Sequence, residues 1–177
     1  FYQKIALCDC LVILDNSNFK PNKFQTENVF KTKSGIDVKI EVPIEKYPTS
    51  KISKEVNTVP NTEWRETIVK LLKDHTDTDF SDVYSNQKLV AMNTQTIMLG
   101  MAIMGMQRQI RFASEFDIEG TNSQRLASII RQLNGTEYIS GPSGRGFIKN
   151  EDFKGIKLNF FSPKVDHHYS VLQRLIS

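Results

Sequence analysis

Short apolar runs alternate with amphipathic segments along much of this chain, and this order limits the folds that it can adopt. Apolar-rich runs of a few residues predict strands, whereas apolar residues spaced three and four apart predict helices. A strand, helix, strand, helix, strand order is typical of a mainly parallel sheet with helices on both faces. The sequence therefore predicts an α/β fold that is Rossmann-like and three-layered. The predicted strands are 10–14, 110–113, 137–140 and 156–161, and the predicted helices are 62–73, 88–106, 122–133 and one near Tyr169.

Residues 29–44 interrupt this order with a different pattern. The segment from Ile36 to Val42 alternates apolar and polar side chains, and Lys33-Ser34-Gly35 precedes it as a turn. Such alternation is typical of a strand with one solvated face. We therefore predict an inserted β-hairpin, followed by a polar connector over residues 45–61.

The composition limits the class of protein. The chain has 177 residues, of which 39% are hydrophobic and 24% are charged, and its formal net charge is +3. These values fit one α/β domain over residues 1–177, and the charge is too small to indicate a nucleic-acid partner. No apolar run reaches the ~20 residues of a membrane-spanning helix, so we expect no transmembrane segment and a cytoplasmic location. Cys8 and Cys10 are too close for an ordinary disulfide and are expected to be reduced, half-buried thiols.

A loop rich in glycine and serine follows the predicted strand 137–140. Glycine lets a backbone approach a ligand closely, hydroxyls offer hydrogen bonds, and a guanidinium can bind a carboxylate or phosphate. The loop matches neither nucleotide-binding fingerprint, and a tight turn with a solvated arginine is an equally weighted alternative. The candidate substrate-binding residues of this loop are Ser140, Gly141, Ser143, Gly144 and Arg145.

Asp15 and Asn16 directly follow the predicted strand 10–14. Open α/β sheets bind ligands at the carboxyl ends of their strands, so Asp15 is a candidate catalytic residue and Asn16 a candidate substrate-binding residue. The alternative is an aspartate that closes a turn through its own backbone.

Asn93 lies inside the predicted apolar helix, where a buried amide needs partners. It is predicted either to hold nearby loops in place or to contact the substrate.

The sequence offers neither a catalytic triad nor a convincing metal site. The three histidines are His75, at the end of a polar helix, and the neighbours His167 and His168. Neighbouring histidines in a strand point in opposite directions, and no third ligand has suitable spacing. We therefore predict no metal site, and the sequence identifies no cofactor.

The order of several short motifs resembles the WbqC-like family of bacterial proteins. In the first half, the resemblance comes from Leu14-Asp15, Phe19-Lys20, Gln25, Asn28, Lys31-Thr32, Gly35 and Val42-Pro43. In the second half, it comes from Leu99-Gly100, Ser114-Glu115, Arg125-Leu126, Tyr138-Ile139-Ser140-Gly141, Gly144, Phe153 and Gly155-Ile156. Members of the family carry an N-terminal strand and a proline-rich loop before the helix that here starts at Phe1, and we expect this chain to lack them. Departures from the family pattern are Glu27, Phe24 and Gln173.

The resemblance implies a transferase of O-antigen or other surface-polysaccharide biosynthesis that moves glycine or another acyl group to a sugar. An acidic or phosphorylated donor would suit Arg145 and Lys20, and a sugar acceptor would suit Asp15, Asn16 and Asn28. In that reaction Asp15 would act as general base, and Arg145 would bind the donor's anion or the oxyanion. The alternative is a non-catalytic module that binds a sugar nucleotide or a protein and serves glycan-assembly enzymes.

Overall fold

The computed structural model describes residues 1–20, 23–48, 51–76, 78–162 and 175. They form two compact units. The first comprises Phe1–Leu14 and residues 108–162, and the second comprises the described residues of Asp15–Gln107 together with Leu175. The helices are α1 (Tyr2–Ile5), α2 (Lys23–Thr26), α3 (Glu63–His75), α4 (Ser81–Tyr84), α5 (Leu89–Ile103) and α6 (Ser123–Gln132). The strands are β1 (Cys10–Ile13), β2 (Glu27–Lys31), β3 (Asp37–Glu41), β4 (Gln109–Phe112), β5 (Glu137–Ser140) and β6 (Lys157–Phe160).

The first unit contains two parallel strand pairs. β1 pairs with β4, with Leu11 opposite Ile110, and β5 pairs with β6, with Ser140 opposite Phe160. β1 is half-buried along its whole length. The continuous apolar run over residues 10–14 is typical of a strand that is buried on both faces, and that expectation is wrong. The reason is that β4 is the one partner of β1 within the described residues, so one edge of β1 is left without a paired strand.

α6 covers the core of the first unit with its apolar face. Leu126, Ala127 and Ile130 are buried together with Phe153. The ring of Phe153 stacks on Tyr138 of β5, with 5.5 Å between the ring centroids. These contacts attach the helix to the strand that leads into the glycine-rich loop.

α6 ends just before Asn134-Gly135, a pair of residues that typically stops a helix. Asn134 adopts the left-handed conformation (φ 53°), which asparagine tolerates better than most residues. The Asn134 N–H donates to the Arg131 carbonyl at 3.0 Å, and the Gly135 N–H donates to the Ile130 carbonyl at 2.8 Å. This pair of bonds is the Schellman arrangement, which satisfies carbonyls at a helix end.

The second unit contains the predicted hairpin and the larger core. β2 and β3 are antiparallel, with Phe30 opposite Val38, and Gly35 has a positive φ of 84° in the turn between them. Glycine adopts that conformation without a steric penalty. The buried core residues of this unit are Phe19, Phe30, Ile40, Val42, Val56, Ile68, Leu72, Phe80, Val83, Tyr84, Leu89 and Met92.

α3 begins directly after Thr62, as the sequence predicted, but another side chain caps it. Asn61 Oδ1 accepts a hydrogen bond from the Glu63 N–H at 2.8 Å. The Thr62 side chain makes no capping bond. Thr62 thus occupies the N-cap position, and the side-chain hydrogen bond at this helix start comes from Asn61, the residue before it.

The fold is mixed α/β, with parallel strand pairs, helices and an inserted hairpin. The described strands form three two-stranded sheets, and none of these sheets closes on itself. A single mainly parallel sheet in three layers is not confirmed. The prediction of one domain over residues 1–177 stays a prediction, and the helix expected near Tyr169 lies outside the described residues. Within the described ranges, no helix combines the length and the apolarity that a membrane span requires.

Candidate functional site

The glycine-rich loop follows β5 as a short turn of 3₁₀ helix. This turn covers Pro142–Gly146 and begins after Gly141. It lies at the carboxyl end of the parallel pair β5–β6, where the Phe161 N–H donates to the Ser140 carbonyl at 2.9 Å. The carboxyl ends of parallel strands are the usual place for a ligand in α/β proteins.

Gly144 is required by packing inside the protein. A Cβ atom at this position would overlap Ser140 Oγ and lie 2.9 Å from Ile148 Cδ1. By contrast, a Cβ at Gly146 would meet no atom within 4 Å. The absence of a side chain at Gly144 thus allows the turn to pack onto β5, and Gly146 is the glycine with open space around it.

Two cationic side chains lie at this loop. Arg145 is exposed, and its guanidinium carbon lies 4.6 Å from the centroid of the Phe160 ring on β6. Lys4 comes from α1, and its Nζ lies 3.7 Å from the position that a Cβ at Gly141 would occupy. Sequence reasoning missed Lys4, because no local pattern links it to a loop more than a hundred residues away.

The two serines of the loop have different surroundings. Ser140 is only 5% exposed, and its Oγ donates to the Gly141 carbonyl at 3.2 Å. Burial raises the pKa of Tyr138, and a hydrogen bond with Ser140 opposes that rise. Ser143 is exposed. Ser140 therefore takes part in the internal structure of the turn, whereas Ser143 presents a hydroxyl to solvent.

Asp15 belongs to the second unit and is only 5% exposed. The segment that it begins is held by backbone hydrogen bonds to a distant part of the chain. The Lys54 N–H donates to the Asp15 carbonyl at 2.7 Å, and the Ser53 N–H donates to the Ser17 carbonyl at 2.9 Å. The Phe19 N–H continues this pairing with the Lys51 carbonyl at 2.8 Å. Asp15 is thus fixed in a buried position that its place after β1 did not predict.

The other candidates of the second unit lie in the segment after β1, on β2 and on α5. Asn16 is half-buried beside Asp15, Lys20 is exposed, and Asn28 is half-buried on β2. Asn93 on α5 donates from Nδ2 to the Gln25 carbonyl at 3.0 Å. This contact agrees with the first of its two predicted roles, because it ties α5 to the segment before the hairpin.

The ten predicted site residues are thus divided equally between the two units. The second unit holds Asp15, Asn16, Lys20, Asn28 and Asn93, and the first unit holds Ser140, Gly141, Ser143, Gly144 and Arg145. Within the first unit, the structure adds Lys4 to the predicted set. The catalytic and substrate-binding roles stay predictions.

The two cysteines are half-buried and not bonded to each other. Burial raises the pKa of both the Cys8 and the Cys10 thiol. A raised pKa lowers the fraction of thiolate at neutral pH, and the thiolate is the nucleophilic form. Their environment therefore does not activate them for nucleophilic catalysis.

A polar cleft of about 740 Å³ also lies in the first unit, along α6. Its carboxylates outnumber its cations, since Arg131 is the one basic residue of the lining and already donates to the Asp152 carbonyl. Such a lining disfavours an anionic donor. The cleft is lined by Asp117, Glu119, Gly120, Gln124, Ser128, Arg131, Gln132, Glu151 and Asp152.

Among the described residues, no three His, Cys, Asp or Glu side chains are placed to hold a metal ion. His167 and His168 lie outside these residues.

A model of the WbqC-like protein family matches residues 1–174. The chain belongs to the WbqC-like family. The match spans both structural units, so it includes the glycine-rich loop and Asp15. The resemblance that the short motifs indicated is therefore confirmed.

A relative of this WbqC-like chain occurs in Mycobacterium tuberculosis (strain ATCC 25618 / H37Rv). It is described as "Uncharacterized protein Rv1507c", and it is 19% identical over 171 residues. The alignment covers 89% of this chain and 73% of the relative. No solved structure is a significant match. The similarity thus extends over nearly the whole chain, and that relative's description assigns no activity.

Proposed function

We propose that this WbqC-like chain is a cytoplasmic transferase of bacterial surface-polysaccharide biosynthesis that moves glycine or another acyl group to a sugar. The observation that carries the proposal is the pair of cations, Lys4 and Arg145, beside the glycine-rich loop of the first unit. Membership of the family supports the biological setting. The parallel pairs β1–β4 and β5–β6 support the finer fold assignment, a Rossmann-like three-layer arrangement, as part of the same proposal.

The loop is proposed to bind the anionic part of an activated acyl donor. A guanidinium binds a carboxylate or phosphate through paired N–H groups, and an ammonium adds a second positive charge. Contact with the Phe160 ring restricts the Arg145 side chain before any ligand arrives. Restriction of this kind reduces the conformational entropy that is lost on binding. Ser143, exposed in the same turn, offers a further hydrogen bond.

Asp15 is proposed as the general base, with Asn16, Lys20, Asn28 and Asn93 as substrate-binding residues. An acceptor hydroxyl or amine attacks the acyl carbon, and the proton of the acceptor passes to the Asp15 carboxylate. The bond between the acyl carbon and the leaving group then breaks, and the leaving group departs with the bonding electrons. This role requires the acceptor to reach a carboxylate that is 5% exposed.

The donor part of the proposal is tested by binding. Lys4→Ala and Arg145→Ala are compared with Lys154→Ala, which changes an exposed lysine of the same unit. Calorimetric titration with aminoacyl nucleotides, nucleotide sugars and nucleotides identifies a donor for the unaltered chain. Lys4→Ala and Arg145→Ala should then each bind that donor about tenfold more weakly, because each variant loses one charge-assisted hydrogen bond. Equal affinity of Arg145→Ala and the unaltered chain would refute the loop as the donor site.

The catalytic part is tested separately with Asp15→Asn, which keeps the size of the side chain and removes the base. Product formation should fall by at least about a hundredfold, with donor affinity unchanged. Full turnover in a folded Asp15→Asn variant would remove Asp15 from the mechanism.

The burial of Asp15 favours a second candidate, a non-catalytic module that binds a sugar nucleotide or a protein. A buried aspartate whose backbone pairs with residues 51–54 is well suited to a structural role. In that case the chain would bind a ligand at the loop, but no acceptor would yield product.

A further inference from the structure

A second cleft lies wholly within the second unit, between the hairpin turn and the end of α3. Its volume is about 310 Å³. This is at the lower end of the range for small-molecule pockets. The lining residues are Thr32, Lys33, Ser34, Lys73, Asp74, His75, Thr76 and Leu175.

Positive charge predominates in this basic cleft. Lys33 comes from the hairpin turn, and Lys73 and His75 come from the last turn of α3. Within the described part of the chain, neither lysine lies within 4.0 Å of a carboxylate oxygen. Basic residues at a helix end commonly serve its negative pole. Lys73 and His75 are therefore favourably placed at the end of α3, and Lys33, which belongs to the hairpin turn, adds a charge that the helix end does not explain.

The walls of the basic cleft are fixed by contacts within the unit. The Thr32 and Ser34 hydroxyls are hydrogen-bonded at 2.8 Å, and Thr32 Oγ1 also accepts from the Ile36 N–H at 3.1 Å. The His75 ring packs edge-on against Phe30, which is fully buried, with 5.7 Å between the centroids. The site is therefore formed before a ligand binds.

The hydrogen-bond donors in the basic cleft can be counted. One hydroxyl hydrogen of the Thr32–Ser34 pair is used between them, so the other can bind a ligand. The Thr76 hydroxyl already donates to the Leu72 carbonyl at 2.9 Å. Two ammonium groups, an imidazole and one hydroxyl thus remain as donors, which matches a group with several anionic oxygens.

We propose that the basic cleft binds the phosphate group of a small phosphorylated molecule. Lys33 and Lys73 supply two positive charges for a phosphate dianion, and the His75 ring supplies a further hydrogen-bond donor. A phosphate does not fill the volume, so a small organic group can enter with it. Asp74 can accept a hydrogen bond from a hydroxyl of that group. The proposal does not depend on the transferase proposal, because none of the residues assigned to the donor loop or to acceptor binding lines the basic cleft.

The experiment is a nuclear magnetic resonance titration of the full chain at constant ionic strength. The probes are inorganic phosphate, ribose 5-phosphate, ribose and sodium chloride. With inorganic phosphate and with ribose 5-phosphate, we expect saturable changes in the amide chemical shifts of Lys33–Gly35 and Lys73–Thr76. With the two controls, ribose and sodium chloride, we expect no such changes. Tighter binding of ribose 5-phosphate identifies a phosphate ester as the ligand, and equal binding identifies free phosphate; both outcomes support a phosphate site.

The variants Lys33→Ala and Lys73→Ala should each weaken phosphate binding about tenfold. The matched control is Lys70→Ala, which removes an exposed lysine of the same helix outside the cleft. All three positions are exposed, so the amide spectra should show a folded chain in each case. The proposal is overturned if the shifts do not saturate, if ribose binds as well as its phosphate, or if Lys70→Ala weakens binding equally.

Discussion

Replacement of Gly144 by alanine tests whether this glycine serves internal packing. Carbon atoms in proteins normally approach to about 3.5–4.0 Å. The new Cβ would lie 2.9 Å from Ile148 Cδ1 and 3.1 Å from Ser140 Cβ, and it would overlap Ser140 Oγ. Both Gly144 and Ser140 are buried, so neither group can simply move into solvent. Overpacking of this kind costs about 1–3 kcal/mol of unfolding free energy.

A smaller effect opposes this cost. Alanine reduces the conformational freedom of the unfolded chain, which stabilises the folded state by about 0.4–1 kcal/mol where the backbone fits. We therefore expect Gly144→Ala to lower the free energy of unfolding by about 1–2 kcal/mol. Gly146→Ala should be neutral or slightly stabilising, since nothing lies within 4 Å of its Cβ position.

The assay is amide hydrogen exchange of β5 and β6, combined with a double-mutant cycle. Exchange is chosen because the chain's one tryptophan, Trp64, lies in the second unit and does not report on the first. Ser140→Ala removes the overlapping Oγ, so Gly144→Ala should cost at least about 0.5 kcal/mol less in that background. The packing explanation is refuted if Gly144→Ala keeps normal protection, or if Ser140→Ala gives no relief.

Two further predictions concern the second unit. Arg65 donates to the carbonyls of Tyr84 and Asn86 and to Thr58 Oγ1, so Arg65→Ala should lower the unfolding free energy by about 2–4 kcal/mol. Urea unfolding followed by circular dichroism measures this, and a loss no larger than in Lys70→Ala would contradict the role of Arg65. Burial raises the pKa of Tyr84 from 10.0 to about 12. The unfolded chain therefore loses this proton first, and stability should fall between pH 10 and 12 by up to about 3 kcal/mol. Tyr84→Phe should make the Trp64-monitored stability less sensitive to pH in that range, and an identical alkaline slope would count against the burial of Tyr84.

The local elements of the fold follow directly from the sequence. The alternation over residues 36–42 predicted the hairpin. The helical spacing of Leu126, Ile129, Ile130 and Leu133 predicted the inward face of α6, of which the first three are buried and Leu133 is half-buried. The bounds predicted for β5, residues 137–140, are confirmed. These features depend on neighbouring residues, because the side-chain period and the turn residues determine them.

Contacts between residues that are far apart in the sequence could not be predicted from local patterns. Asp15 is buried in a segment whose backbone is hydrogen-bonded to residues 51–54, which lie in a stretch that the sequence describes only as a polar connector. The second cation at the glycine-rich loop, Lys4, is brought there by the packing of α1. The packing of Gly144 against Ser140 and Ile148 also became visible only in the folded loop, and its substrate-binding role stays a prediction.

The sequence by itself determined the hairpin, the main helices, the parallel strands and the motifs that place the chain in the WbqC-like family. Tertiary structure alone decided which polar groups are buried and which reach solvent, and it assembled the basic cleft from a hairpin turn and a helix end. The physical reason is the range of the interactions. Backbone conformation and side-chain period act over a few residues, whereas burial and charge depend on every segment that packs nearby.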